Sequence, residues 1–134
     1  MDIFTPVVDD PYDYGAIAAA NSLSDVYSMG GKPIFALNVS ALPASLPLDF
    51  TQAIIRGAAE KALEAGVVIA GGHSLKDDEP KFGLVALGIV QNHQILTKSG
   101  LRPGDRLFLS KPLGAGVITT ALKSSLTSPD ELED

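Results

Sequence analysis

The stretch "NSLSDVYSMGGKP" (residues 21–33) decides how the chain folds. Small and apolar residues run into a glycine pair, then a lysine and a proline. A helix closed by a left-handed glycine and barred from continuing by proline ends in this way. Upstream, "DDPYDYG" (9–15) supplies the matching start. Asp10 can accept from first-turn N–H groups, Pro11 suits the first helical position, and Asp13 is favourable near the positive helix end. The spacing predicts a helix from about Pro11 to Met29, with Gly30 or Gly31 as terminator.

Outward from this helix the elements alternate. "DIFTPVV" (2–8) precedes it as a strand, and "PIFALNVSAL" (33–42), rich in strand formers, follows it. "LPLDFTQAIIRGAAEKALEAG" (46–66) reads as a second helix with Asp49 as cap and Gly66 as stop; Phe50, Ile54, Ala58, Ala62 and Ala65 fall at helical spacing. "VVIAGG" (67–72) is wholly apolar, as expected of a strand covered on both faces, and runs into a glycine turn. "LKDDEPKFG" (75–83) reads as a charged, mobile loop. "FGLVALGIV" (82–90) is a further strand, "GDRLFLSKPLG" (104–114) a strand and turn, and "AGVITTALKSS" (115–125) a last helix. The order β-α-β-α-β-β-β-α predicts an α/β (α+β) sandwich of sheet and helices. "SSLTSPDELED" (124–134) reads as a linker, and both ends look cut from something longer.

Composition narrows the function. The 134 residues suit one domain, and 46% hydrophobic content argues for a folded core. Ten basic residues against sixteen acidic give −6, without a Lys/Arg cluster, so a nucleic-acid footprint is not expected. Without cysteine there is no disulfide framework, thiolate metal site or Cys nucleophile in this chain. No apolar run approaches the ~20 residues of a membrane span, and a cytoplasmic domain is expected.

Few residues carry chemistry. Asn21, Ser24, Asp25 and Ser28 share one stripe of the first helix, opposite Ala16, Ala19, Leu23, Val26 and Tyr27. That stripe reads either as a solvated face or as a site for a hard cation, which takes carboxylate and amide oxygens. Gly71-Gly72 reads as a close approach to an anionic ligand or as an ordinary turn. His73 reads as a phosphate contact or a loop cap. Asp2, Asp9 and Asp10 flank the first strand, Asp10 already serving as cap. Lys111 in "KPLG" (111–114) suits a phosphate or a structural turn equally. No Walker A, dinucleotide-binding or kinase catalytic-loop pattern is present.

At these residues the chain resembles a known family. "DIFTPVVDDPYDYGAIAAANSLSDVYSMGGKP" (2–33), "GGHSLKDDEPKFGLVALG" (71–88) and "LSKPLGAGVITTA" (109–121) look like the selenide, water dikinases, or selenophosphate synthetases. The likeness runs from about residue 2 to residue 125. It implies ATP-dependent synthesis of selenophosphate from selenide and water, with AMP and phosphate as co-products and Mg²⁺ as the metal. On that resemblance Asp25 binds Mg²⁺ and ATP, Asp2 contacts ATP, and Gly71, Gly72 and His73 contact nucleotide across a dimer interface. It further implies a PurM-like amino-terminal domain over 1–125, a linker over 126–134 towards a missing carboxy-terminal domain, and a homodimer whose strands close a barrel. The family's Cys- or selenocysteine-bearing, lysine-containing segment is not in this chain, so the fragment alone is expected to make no selenophosphate. Two other readings stay open: another phosphotransferase of the superfamily, such as thiamine-monophosphate kinase, or a dimerisation domain without turnover.

Overall fold

A computed structural model describes residues 1–126. The chain forms two compact units, one from Met1 to Thr97 and one from Lys98 onward. In the first unit the strands β1 (Asp2–Phe4), β2 (Lys32–Leu42), β3 (Val68–Lys76) and β4 (Lys81–Ile89) form one sheet in the order β1-β4-β2-β3. Helix α1 (Pro11–Ser28) connects β1 to β2, and α2 (Leu48–Glu64) connects β2 to β3. β3 runs parallel to β2, while β4 is antiparallel to both β2 and β1. The expected mixed sheet packed with helices is therefore what forms.

Helix α1 has the ends its sequence predicts. The Asp10 carboxylate accepts from Asp13 N–H at 2.9 Å, and Pro11 opens the helix. At the other end Gly31 N–H donates to the Val26 carbonyl and Gly30 N–H to the Tyr27 carbonyl, both at 2.9 Å. This paired closure needs a residue with positive φ, and Gly30 has φ +74°. Helix α2 differs from expectation at its start. Pro47 is the capping residue and Asp49 lies inside the first turn, where it makes no cap bond but meets the positive helix end.

The two helices lie side by side on one face of the sheet, and their backbones touch. A Cβ on Gly15 would stand 1.9 Å from the Ile54 carbonyl oxygen, and one on Gly57 would stand 2.0 Å from that of Tyr12. Below them Ala18, Ala19 and Leu23 of α1, and Ile54, Ala58 and Ala62 of α2, bury against Ala36, Phe82 and Leu84 of the sheet. Tyr14 is the largest fully buried side chain. It packs edge-to-face against Phe4 (5.9 Å) and Phe82 (6.3 Å), and its hydroxyl donates to the Phe4 carbonyl at 2.5 Å. Phe50, expected on the buried stripe of α2, is exposed instead.

Strand register sorts the sheet residues by face. Ala36, Ser40, Phe82 and Leu84 face the helices; their alternates Phe35, Leu37, Val39, Val85 and Leu87 face the other way. On that second face Leu37, Leu87, Ile89, Val68 and Leu75 remain exposed. β3 is thus an edge strand exposed over most of its length, not a strand covered on both faces. It also continues through Gly71-Gly72 to Lys76, so the glycine pair is strand rather than turn. The charged loop is correspondingly short. Only residues 77–80 separate the strands, and Lys81 reaches back to Asp77 (2.9 Å) and Glu79 (3.4 Å).

In the second unit, "AGVITTALK" forms α3 (Ala115–Lys123) as expected. The strand expected within 104–114 does not form. Leu107, Phe108 and Leu109 are exposed, and an apolar run becomes a strand only where a neighbour completes its hydrogen-bond ladder. Of the linker expected over 126–134, all but Leu126 lies outside the described residues.

Two outcomes follow from this packing. Gly57→Ala forces the helices apart and should lower unfolding free energy by roughly 1–3 kcal/mol in urea titration. Burial pushes the Tyr14 hydroxyl up to about 12 from its ordinary 10.0. A raised pKa in the folded state leaves stability intact below pH 10 and removes it as pH climbs towards 12. Wild-type stability should therefore fall over that range more steeply than that of Tyr14→Phe, which lacks the ionisable group.

Candidate functional site

The site grows from the last two turns of α1. Four residues, Asn21, Ser24, Asp25 and Ser28, lie exposed on one stripe. Ser24 and Ser28 turn their hydroxyls back onto the helix, donating to the carbonyls of Asn21 (2.7 Å) and Asp25 (2.9 Å). Such local bonding occupies the serines and leaves Asn21 and Asp25 as the outward pair.

β1 brings the second carboxylate. Asp2 pairs with Leu84 across the β1–β4 ladder, on the helix-facing side of the sheet. The Asn21 amide donates directly to the Asp2 carboxylate. Beneath that contact Ser22, fully buried, fastens helix to sheet. Its hydroxyl donates to the Asp2 carbonyl at 3.2 Å and accepts the Leu84 N–H at 3.1 Å. The Asp25 carboxylate stands 3.9 Å from the Met1 ammonium, and its side chain is 65% exposed. Asp2 and Asn21 line an open depression of about 380 Å³ with Phe4, Val7 and Ile17. Asp25 lines another, of about 240 Å³, with Val26, Met29, Gly31 and residues 88–90.

Asp2 and Asp25, singled out from sequence, are thus brought to one end of the sheet. Asn21, noted beside Asp25 on the helix, bonds the Asp2 carboxylate. The partner strand and the Ser22 bridge were not visible in the sequence, because both depend on which strand lies next to β1. Among the described residues no group of three or more His, Cys, Asp or Glu side chains could hold a metal ion alone.

Gly71, Gly72 and His73 lie elsewhere. They sit on β3, the edge opposite β1, about 14 Å away at the usual strand spacing. One chain does not join the two groups. A bulge precedes the glycines: Ala36 pairs with Ile69 but Leu37 pairs with Gly71. Past it Gly72 lies against Asn38, whose side-chain oxygen would stand 1.9 Å from any Cβ there. With φ +155° as well, the position admits only glycine. His73 pairs with Val39 and so shares the uncovered apolar face.

This fold, two helices over a four-stranded mixed sheet with an acidic pair at one edge, matches a known family. Residues 1–90 match the family described as AIR synthase related protein, N-terminal domain, and the chain belongs to it. Over 128 residues it is 54% identical to a selenide, water dikinase of Myxococcus xanthus, covering 96% of this chain and 36% of that protein. The chain thus spans little more than a third of that curated relative. Among solved structures, the thiamine monophosphate kinase from Aquifex aeolicus superposes with a TM-score of 0.81 at 24% identity, covering 98% of this chain and 47% of that one. A structure of AaThiL complexed with AMPPCP and TMP gives the same TM-score and identity, covering 44% of that chain. The resemblance to selenide, water dikinases therefore holds over nearly the whole chain, and the kinase structures share its fold.

Proposed function

We propose that this chain is the ATP-binding amino-terminal domain of a selenide, water dikinase. The parent enzyme would make selenophosphate from selenide, ATP and water, releasing AMP and phosphate. The observation that carries this is the joining of Asp2 to α1 through Asn21, beside Asp25. It gathers hard oxygen donors at an exposed edge, with the Met1 ammonium 3.9 Å from the Asp25 carboxylate. The 54% identity to a selenide, water dikinase supports selenide as acceptor over thiamine monophosphate, since the kinase structures at 24% identity speak for the fold alone.

Magnesium suits this donor set. It keeps several waters and is usually held by one or two carboxylates together with substrate phosphates, so a third protein ligand is not required. Asp25 would hold the ion, which neutralises triphosphate charge that the carboxylates would otherwise repel. Asp2, fixed by Asn21, would orient the nucleotide. Gly71, Gly72 and His73 would meet the nucleotide from a second copy, since one chain keeps the two groups at opposite edges.

That arrangement asks for a homodimer. The uncovered sheet face, with Leu37, Leu87, Ile89 and Val68 exposed, and the unpaired edge of β3 are surfaces that a second sheet would bury. Strands from two copies would then close the barrel. We assign residues 1–125 to this domain. Selenophosphate synthesis is expected of the parent enzyme and not of this chain by itself.

Calorimetric titration tests the site: wild type should bind Mg-ATP, and Asp25→Ala should weaken binding by about tenfold or more. Equal weak binding by both would favour a scaffold. Sedimentation tests the assembly. Wild type should run as a dimer at micromolar concentration, and Leu37→Asp, on the uncovered face, as a folded monomer.

A further inference from the structure

The closure of α1 has an unusual shape. In such closures an apolar contact commonly joins the residue three before the cap to the second residue beyond it. Here those residues are Val26 and Gly31, and glycine has no side chain to offer. Val26 instead reaches past it into the sheet. A Cβ on Gly88 of β4 would stand 2.3 Å from Val26 Cγ1, and one on Gly31 would stand 3.0 Å from it. Gly31 and Gly88 thus form a notch whose absent side chains make room for one isopropyl group. Backbone closes it on a further side, with the Lys32 carbonyl 2.8 Å from the same Gly88 position.

Val26 follows Asp25 directly, and both line the same depression of about 240 Å³. Successive helical side chains project about 100° apart, so fixing the bearing of one fixes that of the next. A β-branched side chain suits this task, because it holds a single strongly preferred rotamer in a helix. The last turn of a helix otherwise frays, having lost its forward hydrogen-bond partners.

We infer that Val26 is a positioning residue: seated in the Gly31–Gly88 notch, it sets the turn of α1 that presents the Asp25 carboxylate to a cation. This rests on the reading of Asp25 as the magnesium-holding residue. The notch acts on orientation and touches neither nucleotide nor metal.

The test compares wild type, Val26→Ala, Val26→Ile and Asp25→Ala as full 134-residue chains. ATP affinity is measured with Mg²⁺ and again with EDTA, and amide hydrogen exchange is followed along α1. Val26→Ala should reduce the gain in affinity that magnesium confers by about five- to tenfold, leaving affinity in EDTA unchanged. Amides of residues 25–29 should exchange faster, while those of residues 14–19 hold. Val26→Ile, which keeps the branch point, should restore both. Should Val26→Ala not fold, Val26→Leu moves the branch away from the notch and carries the same expectation. A full magnesium gain in Val26→Ala, even with a lower Tm, overturns the inference and leaves Val26 as packing. The same magnesium response in wild type and Asp25→Ala overturns the reading of Asp25, and the inference with it.

Discussion

Everything in the first unit depends on two helices lying close enough for their backbones to touch. Gly15 under Ile54, and Gly57 under Tyr12, remove the side chains that would hold α1 and α2 apart. Alanines on the lower faces then let both helices settle onto the sheet. Because the helices share one layer, all cover falls on one side of four strands. The opposite side is left apolar, with Leu37, Leu87 and Ile89 exposed on it.

A separate fastening, of α1 to β1 and β4, positions the acidic residues. Ser22 lies one residue from Asn21 and three from Asp25, so a single turn of α1 carries both the anchor and the candidate site residues. The buried hydroxyl ties helix to β1 and β4 in one stroke. Without a partner there, the Leu84 N–H would be a buried donor left unsatisfied, which costs on the order of 1–3 kcal/mol. The exposed amide next to it then fixes where Asp2 points. Stability is concentrated on the inner side of that turn, and charge on the outer side.

Local chemistry was the legible part. Helix α1 could be read at both ends because Asp10, Pro11 and the glycine pair each act within a few residues. The strands 33–42 and 82–90 were legible from side-chain type. What escaped was set by neighbours. "VVIAGG" looks like a buried strand because its residues are apolar, yet its exposure follows from standing last in the sheet. "RLFLS" (106–110) has strand-forming residues and no strand, since a ladder needs a partner. Asp49 looks like a cap, but Pro47 takes that place because its backbone already has the extended conformation a cap requires. Asp25 stood out from its helical stripe and its role came from a resemblance; the bond of Asn21 to Asp2 depends on a strand pairing that spacing does not encode.

The bulge at Ala70 has an effect out of proportion to its size. Upstream of it the even-numbered residues of β3 look outward from the helices, as Val68 does; downstream the odd-numbered ones do, as His73 does. One unmatched residue is a change of parity, and parity is all that determines which side of a ribbon a side chain occupies. Deleting that single position would remove the bulge and still leave His73 opposite Val39, so the imidazole would keep its face while the strand lost its local kink.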